Sequence, residues 1–385
     1  MIIIAMHNSV LGHGPAPNLE KYLLKQKCDG LVYIAHPLLF IKESYALSST
    51  FTKYTNGNVV EKKTAYHWKL PETFLYIKDF LYTSYWVFSL KAKTDIFFGF
   101  DNLNALAGLC LKLLGKVDRV IYYGIDYFPT RFSNPVLNSV YHWIDQICVK
   151  YCDETWNASS QMAKARKKHG MIGAAYKRQY TVPMGIWYNE IKRKPASSAN
   201  RFRLFFIGTL VDYMGLDLVI RGMPQLIVKF PKIRFDIVGI GEEKRKLEQL
   251  AFHLNLKKYV HFHGLLSVGG KREYLFQSAS IGLATFNTMI LDDKVKNADP
   301  VKLKEYTAYG IPIIVTDAIS NTEQIRRSGC GVVIPYNEQA FIRAVNYLFS
   351  DKKRYEQIRS NARMYAKNYD WEYIFRTNLK RLNII

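Results

Sequence analysis

The sequence predicts an α/β protein of two Rossmann-like domains facing each other across a cleft. Three observations lead there. Short apolar runs alternate with helical stretches, which calls for parallel sheets with right-handed crossovers. The alternation breaks once, near the middle, and then resumes. And 385 residues exceed what one ordinary core accommodates.

In the first half, residues 2–6 read as a strand, 7–17 as a loop, 18–25 as the opening of a helix and 30–35 as the next strand. Residues 94–99 and 119–123 are further apolar runs, separated by a helical 103–114. A longer helix covers 134–151, with Ser133 or Asn134 as cap and Pro135 in its first turn. The pattern lapses around Val182-Pro-Met-Gly-Ile-Trp187, and the polar 194–200 marks a hinge. A new series follows: strands at 203–207, 234–238, 260–263, 280–284, 313–315 and 331–334, with helices at 216–229, 242–254, 271–277 and 301–309. A closing helix over 351–382 is long enough to cross back to the first domain. The expected divisions are 1–185, 186–365 and a returning segment 366–385.

Composition narrows the function. With 49% apolar and 14% aromatic residues the chain is globular, and its formal charge of +22 predicts an anionic partner. The basic residues form short clusters, and no nucleic-acid motif accompanies the 27 tyrosines, so a nucleic-acid partner is not expected. Five scattered cysteines lack Cys-x-x-Cys spacing; they fit reduced thiols in a cytosolic protein and no metal. Met1-Ile-Ile-Ile-Ala reads as a buried strand rather than a signal peptide, and no run is long enough to span a bilayer.

Three turns of the second half follow strands and should line one sheet edge, where open parallel sheets bind ligands. The first holds Gly208 and Thr209; the second is Val238-Gly-Ile-Gly-Glu242, contributing Gly239, Gly241 and Glu242. The third is Asn297-Ala-Asp-Pro-Val-Lys-Leu-Lys-Glu-Tyr306, where a loop with Pro300 enters a short helix at Val301. A helix start aims free N–H groups and positive dipole forward, which suits a diphosphate. Lys302 would add a full charge, and Glu305 could accept hydrogen bonds from sugar hydroxyls.

The order of the Gly208 loop, Val-Gly-Ile-Gly-Glu, Val260-His-Phe-His-Gly264, Lys302 with Glu305, and Gly310-Ile-Pro-Ile-Ile-Val-Thr316 resembles the donor domain of a GT-B glycosyltransferase, most nearly of family 4. The likeness covers residues 201–382, including Tyr369-Asp-Trp371; it is looser over the first domain, where Trp156-Asn-Ala-Ser159 is similar to a strand end of many members. It implies a metal-independent enzyme without cofactor that takes a nucleotide sugar and transfers with retention. Gly208, Thr209, Gly239, Gly241, Glu242, Pro300 and Val301 would surround the donor, Lys302 would hold its phosphates and Glu305 its ribose. The departures are specific. Thr209 and Met214 stand where the family often places Arg and Lys on the diphosphate, and Asn297 replaces the first glutamate of Glu-x7-Glu. Lys302, in a Pro-x-Lys-Leu-x-Glu-Tyr variant, is then expected to supply the missing cation.

The first domain should supply the acceptor site. Gly12, His13 and Gly14 lie in the loop after the first strand, Asp101 after residues 96–100, and Asp126 after Tyr122-Tyr-Gly-Ile125. Asp126 and His13 are the expected catalytic groups, and Gly12, Gly14 and Asp101 the acceptor contacts. Segment 71–90 mixes aromatic residues with Lys78, near Lys62, Lys63 and Lys69; it suits either an interfacial helix or a core helix. With the net charge, it points to an anionic membrane surface and to a lipid-linked or polysaccharide acceptor, the protein sitting peripherally on the cytoplasmic face of the membrane. The readings kept beside this are an inverting transferase with Asp126 as base and a non-catalytic GT-B-shaped membrane adaptor, with a basic nucleic-acid-binding protein as the remote one.

Overall fold

The computed structural model describes residues 1–8, 14–38, 48–66, 68, 70–168, 170, 178–193, 202–291 and 296–384. The chain forms two units. One comprises Met1–Met184 with Phe375–Ile385, the other Gly185–Ile374.

Unit 1 is built on an eight-stranded sheet, numbered in chain order: β1 (Ile2–Asn8), β2 (Leu31–Pro37), β3 (Thr50–Thr55), β4 (Asn58–Thr64), β5 (Thr94–Gly99), β6 (Val117–Gly124), β7 (Glu154–Asn157) and β8 (Gln179–Thr181). Their spatial order is β4-β3-β2-β1-β5-β6-β7-β8. The pairs from β2 to β8 are parallel, while β3 and β4 form an antiparallel hairpin on one edge. Ile3, Ile4, Val32, Ile34, Phe97 and Phe98 have no exposed surface, as strands covered on both faces require. The strand order reverses between β1 and β5, so the carboxyl ends of these two strands open a crevice.

Unit 2 holds β9 (Arg203–Ile207), β10 (Arg234–Val238), β11 (Val260–Phe262), β12 (Ile281–Ala284), β13 (Ile313–Thr316) and β14 (Gly331–Ile334). All are parallel in the order β11-β10-β9-β12-β13-β14, the doubly wound arrangement, with its reversal between β9 and β12.

Several elements differ from expectation for local reasons. The first helix begins at Pro15, three residues before Asn18: Pro15 and Pro17 occupy first-turn positions that need no N–H, and Asn18 Nδ2 donates to the Gly14 carbonyl at 2.6 Å. The closing helix is two, Lys352–Lys367 and Trp371–Arg381. Between them the backbone leaves the helix to bridge Ile186, whose N–H donates to Tyr369 O (2.9 Å) and whose carbonyl accepts from Trp371 N (2.8 Å). The return into unit 1 therefore begins at Phe375 rather than 366. There Phe375 packs on Tyr22, Arg119 donates to the Leu382 carbonyl, and Arg381 pairs with Glu154. The hairpin β3–β4 and the short β8 were not expected, whereas β7 ends at the Trp156-Asn157 pair read as a strand end; β4 faces solvent along most of its length and carries no apolar alternation. The helix cap at Asn134 is present, its side chain accepting from Val136 and Leu137 N–H. The polar stretch 194–200 lies outside the described residues.

Helix Glu72–Phe88 is buried on one face and presents large apolar side chains on the other. One face, with Leu75, Thr83, Trp86 and Val87, is buried; Phe74, Ile77, Leu81, Tyr85 and Phe88 line the other and are exposed. Lys78 corrects the expectation of a headgroup lysine. Its ammonium is buried, 2.9 Å from the Asp79 carboxylate. Asp79 is fully enclosed and also accepts from Ser49 Oγ at 2.7 Å, with His36 Nδ1 and His7 Nε2 each 3.4 Å away. Burial opposes ionisation of Asp79, yet His36 and His7 hold its pKa well below the usual carboxylate range.

Removing that charge leaves Lys78 buried without its counter-ion and His7 with Asp101 alone. Asp79→Asn is expected to lower stability by about 3–5 kcal/mol, read as a reduced urea midpoint at unchanged m-value. A change below about 1 kcal/mol would show that the cluster does not hold the helix.

Candidate functional site

In unit 2 the switch point lies between β9 and β12, and the polar turns gather there. Gly208 directly follows β9 with φ +150, and its N–H donates to Val238 O at 3.0 Å. Gly239 directly follows β10, also in a glycine conformation. A Cβ at Gly239 would lie 1.8 Å from the Gly208 carbonyl, so the two turns touch backbone to backbone. The turn after β11 closes the row: Gly239 N–H donates to Gly264 O, and His263 Nε2 lies 2.7 Å from the buried Asp236.

Into this row projects Lys302, near the start of the eight-residue helix Val301–Ala308. Its ammonium nitrogen lies 4.2 Å from the Phe206 ring centre, 5.5 Å from that of Phe286 and 3.4 Å from Met214 Sδ. A Cβ at Gly208 would come within 2.9 Å of it. Thus the cation stands beside Gly208 and Met214. Burial pushes the Lys302 pKa down to about 7, against a pull from Glu305. Two ring faces attract an ammonium, but they replace only part of its lost hydration.

The loop that presents Lys302 is braced from below. Asp299 and Lys304 form a buried ion pair, and Asn321 Nδ2 donates to the other Asp299 oxygen at 3.2 Å. Lys304 also lies over the Tyr369 ring, linking the loop to the Tyr-Asp-Trp segment. Glu305 is engaged too. Its Oε1 accepts from Arg272 Nη2 at 2.5 Å, leaving Oε2 as the open acceptor. Thr209, Gly241 and Glu242 are exposed along the same edge, and Pro300 and Val301 are half-buried at the helix start. The arrangement offers an ammonium, a helix N-terminus and turn backbone to an anion, with a carboxylate oxygen one turn further on.

In unit 1 the switch point between β1 and β5 is also polar. Asp101 caps helix Asn102–Leu113: Oδ1 accepts from Asn104 N–H at 2.8 Å. Its Oδ2 lies 2.9 Å from His7 Nδ1 and accepts from Asn104 Nδ2 at 2.8 Å. Burial alone would lower the His7 pKa, but Asp101 and Asp79 overcome it and raise it to about 10. Asp101 is held well below its ordinary value by the same contact, against burial. His7 is therefore an imidazolium pinned between two carboxylates, with neither nitrogen free to take a proton from a ligand. His36, 5.1 Å from His7 ring to ring, is shifted down by burial.

Asp126 follows β6 on the same edge. Its side chain is 51% exposed, and Arg131 Nη1 lies 3.3 Å from Oδ2. Partial burial raises its pKa in spite of Arg131. Gly14 caps the helix Pro15–Lys25 through its backbone position, whereas Gly12 and His13 lie outside the described residues. Asp101 and Asp126 thus share one strand edge within unit 1, and Gly208, Thr209, Gly239, Gly241, Glu242, Pro300, Val301, Lys302 and Glu305 share one within unit 2. Reading the sequence missed His7, Asp79, Arg272 and the Asp299–Lys304 pair. Only the Lys78-Asp79 dipeptide, set inside an apolar helix, carried a signal. Among the described residues no group of three His, Cys, Asp or Glu is placed to hold a metal ion.

Residues 188–365 match the family model described as glycosyl transferases group 1. Among curated proteins, an uncharacterized glycosyltransferase of Haemophilus influenzae is 24% identical over 48% of this chain and 49% of its own length. One from Methanocaldococcus jannaschii is 26% identical over 44% and 42%. The chain thus matches about half the length of these relatives. Among solved structures, Anabaena HepE in complex with UDP superposes with a TM-score of 0.73 at 15% identity, covering all of both chains. Sucrose-phosphate synthase of Thermosynechococcus elongatus gives 0.72 at 13%, covering 100% of this chain and 98% of the other. The fold is GT-B.

A Lys302 that is half neutral near pH 7 must take up a proton to meet an anion. The dissociation constant of a diphosphate anion bound at this cation is expected to rise about tenfold between pH 6 and 8, and Lys302→Ala should flatten that dependence. Calorimetry showing equal pH profiles for both proteins would remove Lys302 from the binding step.

Proposed function

We propose that the protein transfers a glycosyl group from a nucleotide sugar to a lipid-linked or polysaccharide acceptor at an anionic membrane surface, with retention. The observation that carries the reading is the Lys302 ammonium, enclosed by Phe206, Phe286 and Met214 beside the Gly208 turn. Among the described residues no carboxylate is hydrogen-bonded to this cation, and such a cation at a parallel-sheet switch point suits a diphosphate. The group 1 match over residues 188–365 supports this, as does the GT-B fold. HepE has been solved with UDP and with UDP-glucose, which makes uridine nucleotides the first to try.

In this reading the leaving diphosphate receives its compensating charge from Lys302 and from the N–H groups of the helix starting at Val301, without a metal. The Gly208 and Gly239 turns let backbone approach the donor, with Thr209, Gly241, Glu242 and Pro300 around them. The open oxygen of Glu305 takes a ribose hydroxyl while Arg272 fixes the other. In unit 1, Asp101 and the Gly12–Gly14 loop would meet the acceptor, with Asp126 and His13 as the polar catalytic groups. The place of the half-exposed Asp126 carboxylate just past the carboxyl end of β6 favours one second reading, an inverting transfer in which it takes the acceptor proton. The exposed stripe of Glu72–Phe88 supports peripheral attachment on the cytoplasmic face; among the described residues no helix is long and apolar enough to cross a membrane.

Thermal shift across UDP-, GDP- and other nucleotide sugars should find one class that stabilises the chain. Lys302→Ala should weaken that ligand on the order of 10–100-fold, the worth of a charge-assisted hydrogen bond. No stabilisation by any nucleotide sugar would overturn the donor reading. Binding without turnover would favour the adaptor, and proton NMR of the product anomer separates retention from inversion.

A further inference from the structure

Three helices of unit 1 stand side by side on its sheet: Asn102–Leu113 packs between Glu72–Phe88 and Pro135–Tyr151. The outward face of a helix covering a sheet is ordinarily its charged face. Here large apolar side chains stand exposed on that face of both flanking helices, with Ser139 and Gln146 as exposed polar neighbours on Pro135–Tyr151. Phe74, Ile77, Leu81, Tyr85 and Phe88 recur at spacings of three and four and are exposed. On Pro135–Tyr151, Val136 (71% exposed), Val140 and Trp143 (61%) repeat the pattern. Leu103 and Leu106 are half-buried on the middle helix.

Equally telling is where charge is missing. Between Phe74 and Phe88 the only Asp, Glu, Lys or Arg residues are Lys78 and Asp79, and both are buried. Between Val136 and Val149 the only one is Asp145, which is buried against Arg166. Asn102–Leu111 has none. In a chain of net charge +22 this is a large neutral field. Helix lengths and ordinary interhelix spacing make it about 25 by 20 Å, on the order of 500 Å², the upper range for a monomer's largest apolar patch. Its charge collects at the helix C-terminal ends. Lys116 lies 4.8 Å over the Phe88 ring and Lys150 5.1 Å over Tyr151, with Lys91 exposed nearby in sequence.

We propose that this three-helix face is the membrane-contacting surface, lying in the interface of an anionic bilayer with Lys91, Lys116 and Lys150 among the headgroups. It rests on the reading that the acceptor is met at a membrane, and adds Pro135–Tyr151 as a second anchoring helix. Trp and Tyr with apolar neighbours suit the interfacial layer, and lysines at one end of the field complement anionic lipid.

Flotation of the full chain with phosphatidylcholine vesicles, with and without phosphatidylglycerol, tests this. The chain should float with the anionic vesicles. Leu81→Glu and Trp143→Glu, both at exposed positions, should each lower the bound fraction about tenfold, while Val228→Glu, exposed on unit 2, should not. Unchanged flotation of every variant overturns the proposal. Loss with Leu81→Glu but not Trp143→Glu overturns the second helix. A lipid-free dimer by sedimentation that Trp143→Glu dissociates assigns the face to a second copy instead and overturns the lipid assignment. Thermal shift with nucleotide sugars on the same variants checks folding, and its failure in the parent chain would count against the donor reading alone.

Discussion

A parallel sheet covered on both faces leaves only its edges for polar chemistry, and this constraint shapes both units. Wherever the strand order reverses, the crossovers diverge and leave the carboxyl ends of two strands uncovered. In unit 1 these are β1 and β5, which bring His7 and Asp101 together. In unit 2 they are β9 and β12, which bring the Gly208 turn and Lys302 together. The two clusters treat charge in opposite ways. Asp79, His7, Lys78 and Asp101 neutralise one another and fix a helix in place. Lys302 has ring faces and a thioether where a carboxylate would ordinarily stand.

The difference has an energetic meaning. An ammonium among aromatic rings recovers part of its hydration, and its depressed pKa records the remainder. That cost is borne by the free protein, and an anion placed beside the ammonium would relieve it. The buried Asp299–Lys304 pair keeps the loop from relaxing toward solvent, where the lysine would rehydrate and the advantage would vanish.

Most of the architecture was legible because it rests on periodicity: strands such as Ile2–Asn8 and Arg203–Ile207 are built on the apolar runs 2–6 and 204–207. The glycine turns of unit 2 were legible as well, since Gly208 and Gly239 directly follow strand ends. What escaped reading depends on distant contacts. Lys78 looks like any lysine in an aromatic helix until Ser49 and Asp79 are seen to enclose it. The break after Lys367 has no proline or glycine; Ile186, nearly two hundred residues earlier, takes the backbone hydrogen bonds that a continuous helix would use. Arg272 reaches Glu305 from another helix, and no spacing rule announces it.

The crossing of the chain's end into unit 1 bears on how the molecule is made. Phe375 against Tyr22, the Leu382 carbonyl on Arg119 and Arg381 on Glu154 complete a core begun by the first residues. On a ribosome, unit 2 has all its own strands before unit 1 has its last helix. The earlier half must then wait, partly uncovered, until residues 375–385 emerge, a period in which chaperones have the most to protect. A short C-terminal truncation would accordingly injure the half of the protein that is translated first.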